Sequence, residues 1–269
     1  MRIYPGAYIQ ESNNGRERKT MTAMVRDVVR ALRAERLKLR GTLGFWLAWI
    51  APAVIVALQL MMDLGRRDFY LARDPFDAWR EYGIQVMVLW SLMMMPLFVT
   101  LETALVAQLD HTSRGWKHLF SLPVSRGAHY AAKQIGGMAL VGLSLVALTV
   151  FSVLGGLVLR QAIPGIGFED PVPLADIASF AFFTFLGAWL VISIQTWVAQ
   201  RWSSFVVASG FGIAMTIIGV IVIQSDYAGY YPWTLPVLVA NGFNGSIHPL
   251  NILEDSVRPV RELLTGSVG

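Results

Sequence analysis

The sequence predicts an all-α fold, a polytopic membrane helical bundle. Three observations predict it. Hydrophobic residues make up 55% of the 269 residues and charged residues only 15%, whereas a soluble domain carries about 25% charged residues. The mean hydropathy is +0.52. The apolar residues gather into long runs nearly free of charge, and a run of about 18 or more is enough to cross a bilayer as a helix. A water-soluble enzyme with one ordinary core does not fit this composition. The runs lack the alternation of a barrel strand, and a backbone in hydrocarbon satisfies its own hydrogen bonds best as a helix.

The elements follow in order. Residues 1–22 are polar and are expected to form a disordered cytoplasmic extension. The stretch from about 24 to 40 reads as a basic amphipathic helix. Val25, Val28, Val29, Leu32 and Leu39 fall on one side, and Arg26, Arg30, Arg33 and Arg40 cover much of the rest. Such a helix lies on the cytoplasmic surface with its basic side toward anionic headgroups. Five spans are expected over 44–62, 83–107, 135–159, 177–198 and 205–223. Pro52 and Pro96 should kink the first two, because proline removes a backbone donor. After the fifth span, Tyr227, Tyr230, Tyr231 and Trp233 read as an aromatic belt at the outer interface. Leu235 to Ala240 is apolar but too short to span, and 241–269 is a polar tail.

Basic residues set the orientation. Most of the 22 Lys and Arg lie before span one, in the loop holding Arg114, Lys117, Arg126 and Lys133, or at Arg201. Acidic residues are biased the opposite way. The positive-inside rule then places the N-terminus in the cytoplasm and, with five spans, the C-terminus outside.

Few polar groups occur within these spans. Glu102 is the one ionisable residue, near the cytoplasmic end of span two, and no span contains His, Asp or Lys. That argues against a proton relay built on buried charge. Gln59, Gln85, Gln195, Thr149, Ser152, Ser193 and Thr196 are candidates for hydrogen bonds between helices. Ala208, Gly212 and Thr216 form a small-residue stripe at four-residue spacing that would let a neighbouring helix approach closely.

Chemistry-bearing motifs are scarce. There is no cysteine. The histidines His111, His118, His129 and His248 lack metal-ligand spacing, and neither H-E-x-x-H nor G-x-S-x-G occurs. No Gly-Lys-Ser/Thr is present, so the chain has no phosphate-binding loop of that kind. The segment from Glu102 to Lys133 is too long for a turn. It holds a short amphipathic stretch, Trp116, Leu119, Phe120 and Leu122, ended by Pro123. An aromatic patch rimmed by charge fits a protein contact.

These residues carry a family resemblance. Ala34-Glu35-Arg36-Leu37-Lys38-Leu39-Arg40-Gly41-Thr42 before span one is similar to the lead-in of ABC-2 type transporter permeases. Glu102, Trp116-Lys117-His118-Leu119, Leu122-Pro123-Val124-Ser125-Arg126 and Lys133 resemble their cytoplasmic coupling segment. Tyr231-Pro232-Trp233-Thr234-Leu235-Pro236 resembles the outer segment of permeases for lantibiotic and bacitracin self-protection. The likeness covers about residues 30 to 240, so that 23–240 reads as the permease domain.

The resemblance implies a permease subunit in the cytoplasmic (inner) membrane of a bacterium. It implies a second permease copy or a related half, and a separate cytoplasmic ATPase that binds ATP and magnesium. No cofactor is expected on this chain, nor a nucleic-acid partner. Family members have six spans, and this sequence shows five. By matching positions, Arg114, Trp116, Lys117, Leu119, Phe120, Pro123 and Arg126 would meet the ATPase, with Glu102 and Lys133 at the root of that segment. Peptide antibiotics, drugs and lipids are the substrate classes implied. A non-transporting membrane anchor and an intramembrane enzyme are the alternatives.

Overall fold

A computed structural model describes residues 26–39, 41–65, 78–112, 126–164, 168 and 171–243. Every regular element among them is helical. Helix α1 covers 26–39, α2 Leu43–Gly65, α3 Ala78–Leu89, α4 Met95–Thr112, α5 Arg126–Ala162, α6 Leu174–Arg201, α7 Phe205–Val222 and α8 Leu235–Phe243. A π turn, Trp90–Met94, joins α3 to α4. Five helical segments are long and apolar enough to cross a membrane: α2, the combined α3–α4 over Glu81–Gln108, α5, α6 and α7.

Local chemistry sets the boundaries. Gly41 ends α1 with a φ of 79°, a left-handed conformation that glycine adopts without a Cβ clash. Thr42 then starts α2, its hydroxyl accepting from Phe45 N–H at 3.5 Å. Ser204 caps α7 in the same way through Val207 N–H. Pro52 sits inside α2, which continues past it as one helix. The π turn closes just before Pro96, with Met95 N–H bonded to Trp90 O. The wider turn accommodates a proline ring that would otherwise meet a carbonyl four residues back.

The helices run past the apolar stretches that identify them. Helix α5 has 37 residues, about 55 Å at 1.5 Å per residue, against about 30 Å of hydrocarbon. Its first two turns therefore hold Arg126, His129 and Lys133, and α4 likewise extends to Thr112.

Helix α2 packs chiefly on α5, α6 on both α5 and α4, α7 on α4, and α8 on α6. The end of the bundle away from Lys133 holds Trp79, whose Nε1 donates to Phe168 O at 3.2 Å and whose ring meets Phe168 at 5.0 Å between centroids. Apolar side chains also face outward, among them Trp46, Ile50, Val54, Val206, Ile217 and Ile221. That surface suits lipid.

Three expectations need correction. The first concerns α1, expected to lie on the membrane surface. Its face needs the correction, not its place: Ala31 and Glu35 are buried against the bundle, while Val29, expected on the apolar side, is exposed. The second concerns the aromatic belt. Trp233 is 1% exposed, its ring 6.0 Å from Phe211, and Tyr231 Oη donates to Met215 O at 2.7 Å. Of the four aromatics, Tyr227 and Tyr230 are the exposed ones. Leu235 to Ala240 belongs to α8, which presses on α6 where Gly187 has no side chain. A Cβ there would lie 2.7 Å from Pro236 Cα. The third concerns charge. Asp63 and Lys133 lie within the membrane-length helices and are buried, because those helices outrun the apolar runs.

Candidate functional site

The charged end of α1 meets the bundle at one cluster. Successive turns put Val28, Ala31, Glu35 and Leu39 on the same face, since positions three and four apart align along a helix. Glu35 is thus carried inward among apolar neighbours. Its Oε1 accepts from Lys133 Nζ on α5 at 3.3 Å, and both side chains are buried. Lys38, one turn along α1 and partly exposed, reaches the same oxygen at 3.3 Å. Charges taken out of water must be paired, and removing one member of such a pair costs about 3–5 kcal/mol. The Glu35–Lys133 bond therefore fixes where α1 sits against α5.

Helix α4 brings Glu102 to the same place. It is 1% exposed. Two glycines make the room. A Cβ on Gly44 of α2 would lie 3.6 Å from Glu102 Cγ, and one on Gly137 of α5 would lie 3.8 Å from Glu102 Oε1. The carboxylate thus rests across two bare stretches of helix backbone. Glu102 Oε2, Thr196 Oγ1 and Gln200 Nε2 are buried and make no hydrogen bond. With Glu35, Lys133 and Thr103 they surround a hollow of about 20 Å³, which is room for one water molecule. The arrangement places one amine and two carboxyl groups, from three different helices, around one hollow. No group of three or more His, Asp or Glu among the described residues could hold a metal ion.

The remaining candidates divide. Arg126 is the first residue of α5. Arg114, Trp116, Lys117, Leu119, Phe120 and Pro123 lie outside the described residues. Ala208, Gly212 and Thr216 are buried on one face of α7, which packs against α4. A Cβ on Gly212 would sit 2.8 Å from Thr100 Cβ, and nearer still to its Oγ1 and Cγ2. Of the polar candidates, Gln59 bonds Gln85 across α2 and α3 at 2.7 Å, Gln134 bonds Ser193 across α5 and α6 at 2.8 Å, and Gln195 bonds Ala208 O across α6 and α7 at 2.8 Å. Thr149 and Ser152 do otherwise, donating back to Leu145 O and Leu148 O within α5.

Glu35, Asp63 and Glu81 were not among the candidates from the sequence. Glu35 was hidden among four arginines, but its spacing from Ala31 and Leu39 marks it as inward-facing. Toward the other end of α2, Gln59 Nε2 donates to Asp63 Oδ1 at 3.1 Å and to Gln85 Oε1 at 2.7 Å. Gln85 Nε2 in turn donates to Glu81 Oε1 at 3.4 Å. The i, i+4 pairs 59/63 and 81/85 were the available signal.

A family model described as ABC-2 family transporter protein matches residues 31–222. The matched stretch begins at the docked face of α1 and ends with the last residue of α7. No curated protein and no solved structure matches the chain.

Proposed function

The chain belongs to the ABC-2 family of transporter proteins, and from that membership we propose that it is the permease subunit of an ABC exporter in the inner membrane of a bacterium. It is a multi-pass membrane protein and a component of a transporter, in a family that works with a cytoplasmic ATPase. In our reading it lines the path and catalyses no reaction of its own. ATP and magnesium are handled by a separate subunit, and a second permease copy or a related half completes the path. The N-terminus and the Glu102–Lys133 end face the cytoplasm, as the basic residues favour. The substrate is an amphiphile of the peptide-antibiotic, drug or lipid classes.

One observation carries this reading. Helices α4 and α5 both extend beyond the hydrocarbon length at the end that holds Glu102 and Lys133. Residues 113–125 connect them there, so a push on that segment acts on two spans at once. Through Lys133 and Glu35 it acts on α1 as well. Arg114, Trp116, Lys117, Leu119, Phe120, Pro123 and Arg126 are the residues we assign to contact with the ATPase. Nucleotide binding can drive transport only by favouring one arrangement of the spans over another.

The test is co-purification. The tagged chain is expressed with a co-encoded nucleotide-binding protein and recovered in detergent. Trp116→Ala combined with Leu119→Ala should abolish recovery of the ATPase while the permease stays monodisperse. Undiminished recovery would remove the coupling assignment.

A further inference from the structure

We propose that Lys133 is an exchangeable counter-ion, holding Glu35 when α1 is docked and turning to Glu102 when α1 lifts away. Three observations converge on it. Lys133, Glu35 and Glu102 surround one small hollow. Glu35 carries a second cation on its own helix, Lys38 at 3.3 Å and partly exposed, so α1 can leave the bundle without stranding a bare carboxylate. Glu102 sits deeper, and its Oε2 is buried with no hydrogen bond. That oxygen is the seat left vacant while Lys133 serves Glu35.

The geometry allows the exchange. Glu102 Oε1 lies 3.8 Å from where a Cβ on Gly137 would be. Gly137 is one turn beyond Lys133 on α5, a separation of about 5–6 Å between Cβ positions. A lysine arm of four methylenes covers that span. Glycine at 137 keeps the way between the two open. In the docked state Lys133 pins α1 to α5, and in the lifted state it ties α5 to α4. The exchange deepens the reading above as the route by which a push at 113–125 reaches α1, and it rests on that reading only for the source of the push.

The experiment uses the permease alone, full-length and in lipid nanodiscs. The chain has no cysteine, so Ala31→Cys places a single thiol on the buried face of α1, where Ala31 is 5% exposed. The rate of reaction with a charged maleimide reads how often α1 lifts. Glu35→Gln should raise that rate about tenfold, and Glu102→Gln should lower it about threefold, because the lifted state loses its partner for Lys133. Lys133→Arg, which can serve both seats, should stay within about twofold of the parent. A Glu102→Gln rate equal to or above the parent's overturns the exchange, as does a Glu35→Gln rate that does not rise.

Should Glu102→Gln not fold, spin labels on Leu37→Cys and Tyr130→Cys, both exposed, give a second measurement. Two distance populations are expected in the parent, collapsing to the longer one in Lys133→Met. A single population in the parent overturns the exchange. Because no ATPase is present, failure here leaves the pairing with an ATPase standing, and failure of co-purification leaves the exchange standing.

Discussion

Gly212→Ala should loosen the contact between α4 and α7. The added Cβ would lie 2.8 Å from Thr100 Cβ, with the Thr100 hydroxyl and methyl nearer still. Thr100 yields poorly. It is β-branched, 2% exposed, and its hydroxyl donates to Pro96 O at 2.8 Å. The helices must part, at a cost of about 1–3 kcal/mol for an overpacked site. For a chain near this size each kcal/mol shifts the melting temperature by roughly 2–4 °C, so a fall of roughly 2–12 °C is expected. Thermal unfolding in one fixed detergent, followed by size-exclusion recovery, measures it. Gly210, two residues away, is the control. A Cβ there meets nothing within 4 Å, and Gly210→Ala should be neutral or stabilising by up to about 1 kcal/mol from helix propensity. Thr100→Ala removes the two nearest atoms, so the double variant should regain about 1 kcal/mol relative to additivity. If Gly212→Ala melts with the parent, or Thr100→Ala recovers nothing, the close approach of α4 and α7 is refuted.

Further outcomes follow from the same packing. Gly187→Ala would put a Cβ 2.7 Å from Pro236 Cα and 2.8 Å from Leu235 O; these are backbone atoms, so α8 should detach from α6, seen as faster proteolysis near residue 235 and a loss of about 3 kcal/mol or less. Glu35→Ala takes one carboxylate from buried Lys133 but leaves Glu102 as a second seat, so it should cost less than the roughly 3–5 kcal/mol of a stranded charge, and adding Glu102→Ala should bring the loss into that range in the same melting assay. Tyr82 Oη is buried with no hydrogen bond, so Tyr82→Phe should hold or raise stability within about 1 kcal/mol, and a clear loss would reveal a partner for that hydroxyl.

The five spans were legible because hydrophobic runs near 20 residues have few other uses. Their ends were not. Hydropathy stops at the first charged residue, whereas the helix continues while its backbone bonds hold, as α5 does back to Arg126. Lys133 was therefore assigned to a loop, and Asp63 fell just past the end of the first span. The face of α1 was misjudged in part, because Val29 is apolar yet exposed and Glu35 is charged yet buried. Only a partner on another helix, Lys133, makes that exchange of roles favourable, and a partner 98 positions away leaves no local trace. Trp233 reads as interfacial by residue type, but its Cβ lies beside Gly219 and its ring beside Phe211. The stripe of Ala208, Gly212 and Thr216 was visible from its spacing alone, although Thr100 as its counterpart was not.

An α-helix advances about 100° per residue, so the wide turn at Trp90–Met94 sets the azimuth of everything after it. The first half of this span aims Tyr82 and Gln85 at α5 and α2, while the second half aims Glu102 across Gly44 and Gly137. The two halves behave as separately indexed rods on one axle. Forcing the turn into regular winding with all its residues kept would swing the second rod by about 100°, carrying the carboxylate off its glycine seat, whereas deleting one residue would restore regular winding and leave that rod where it is.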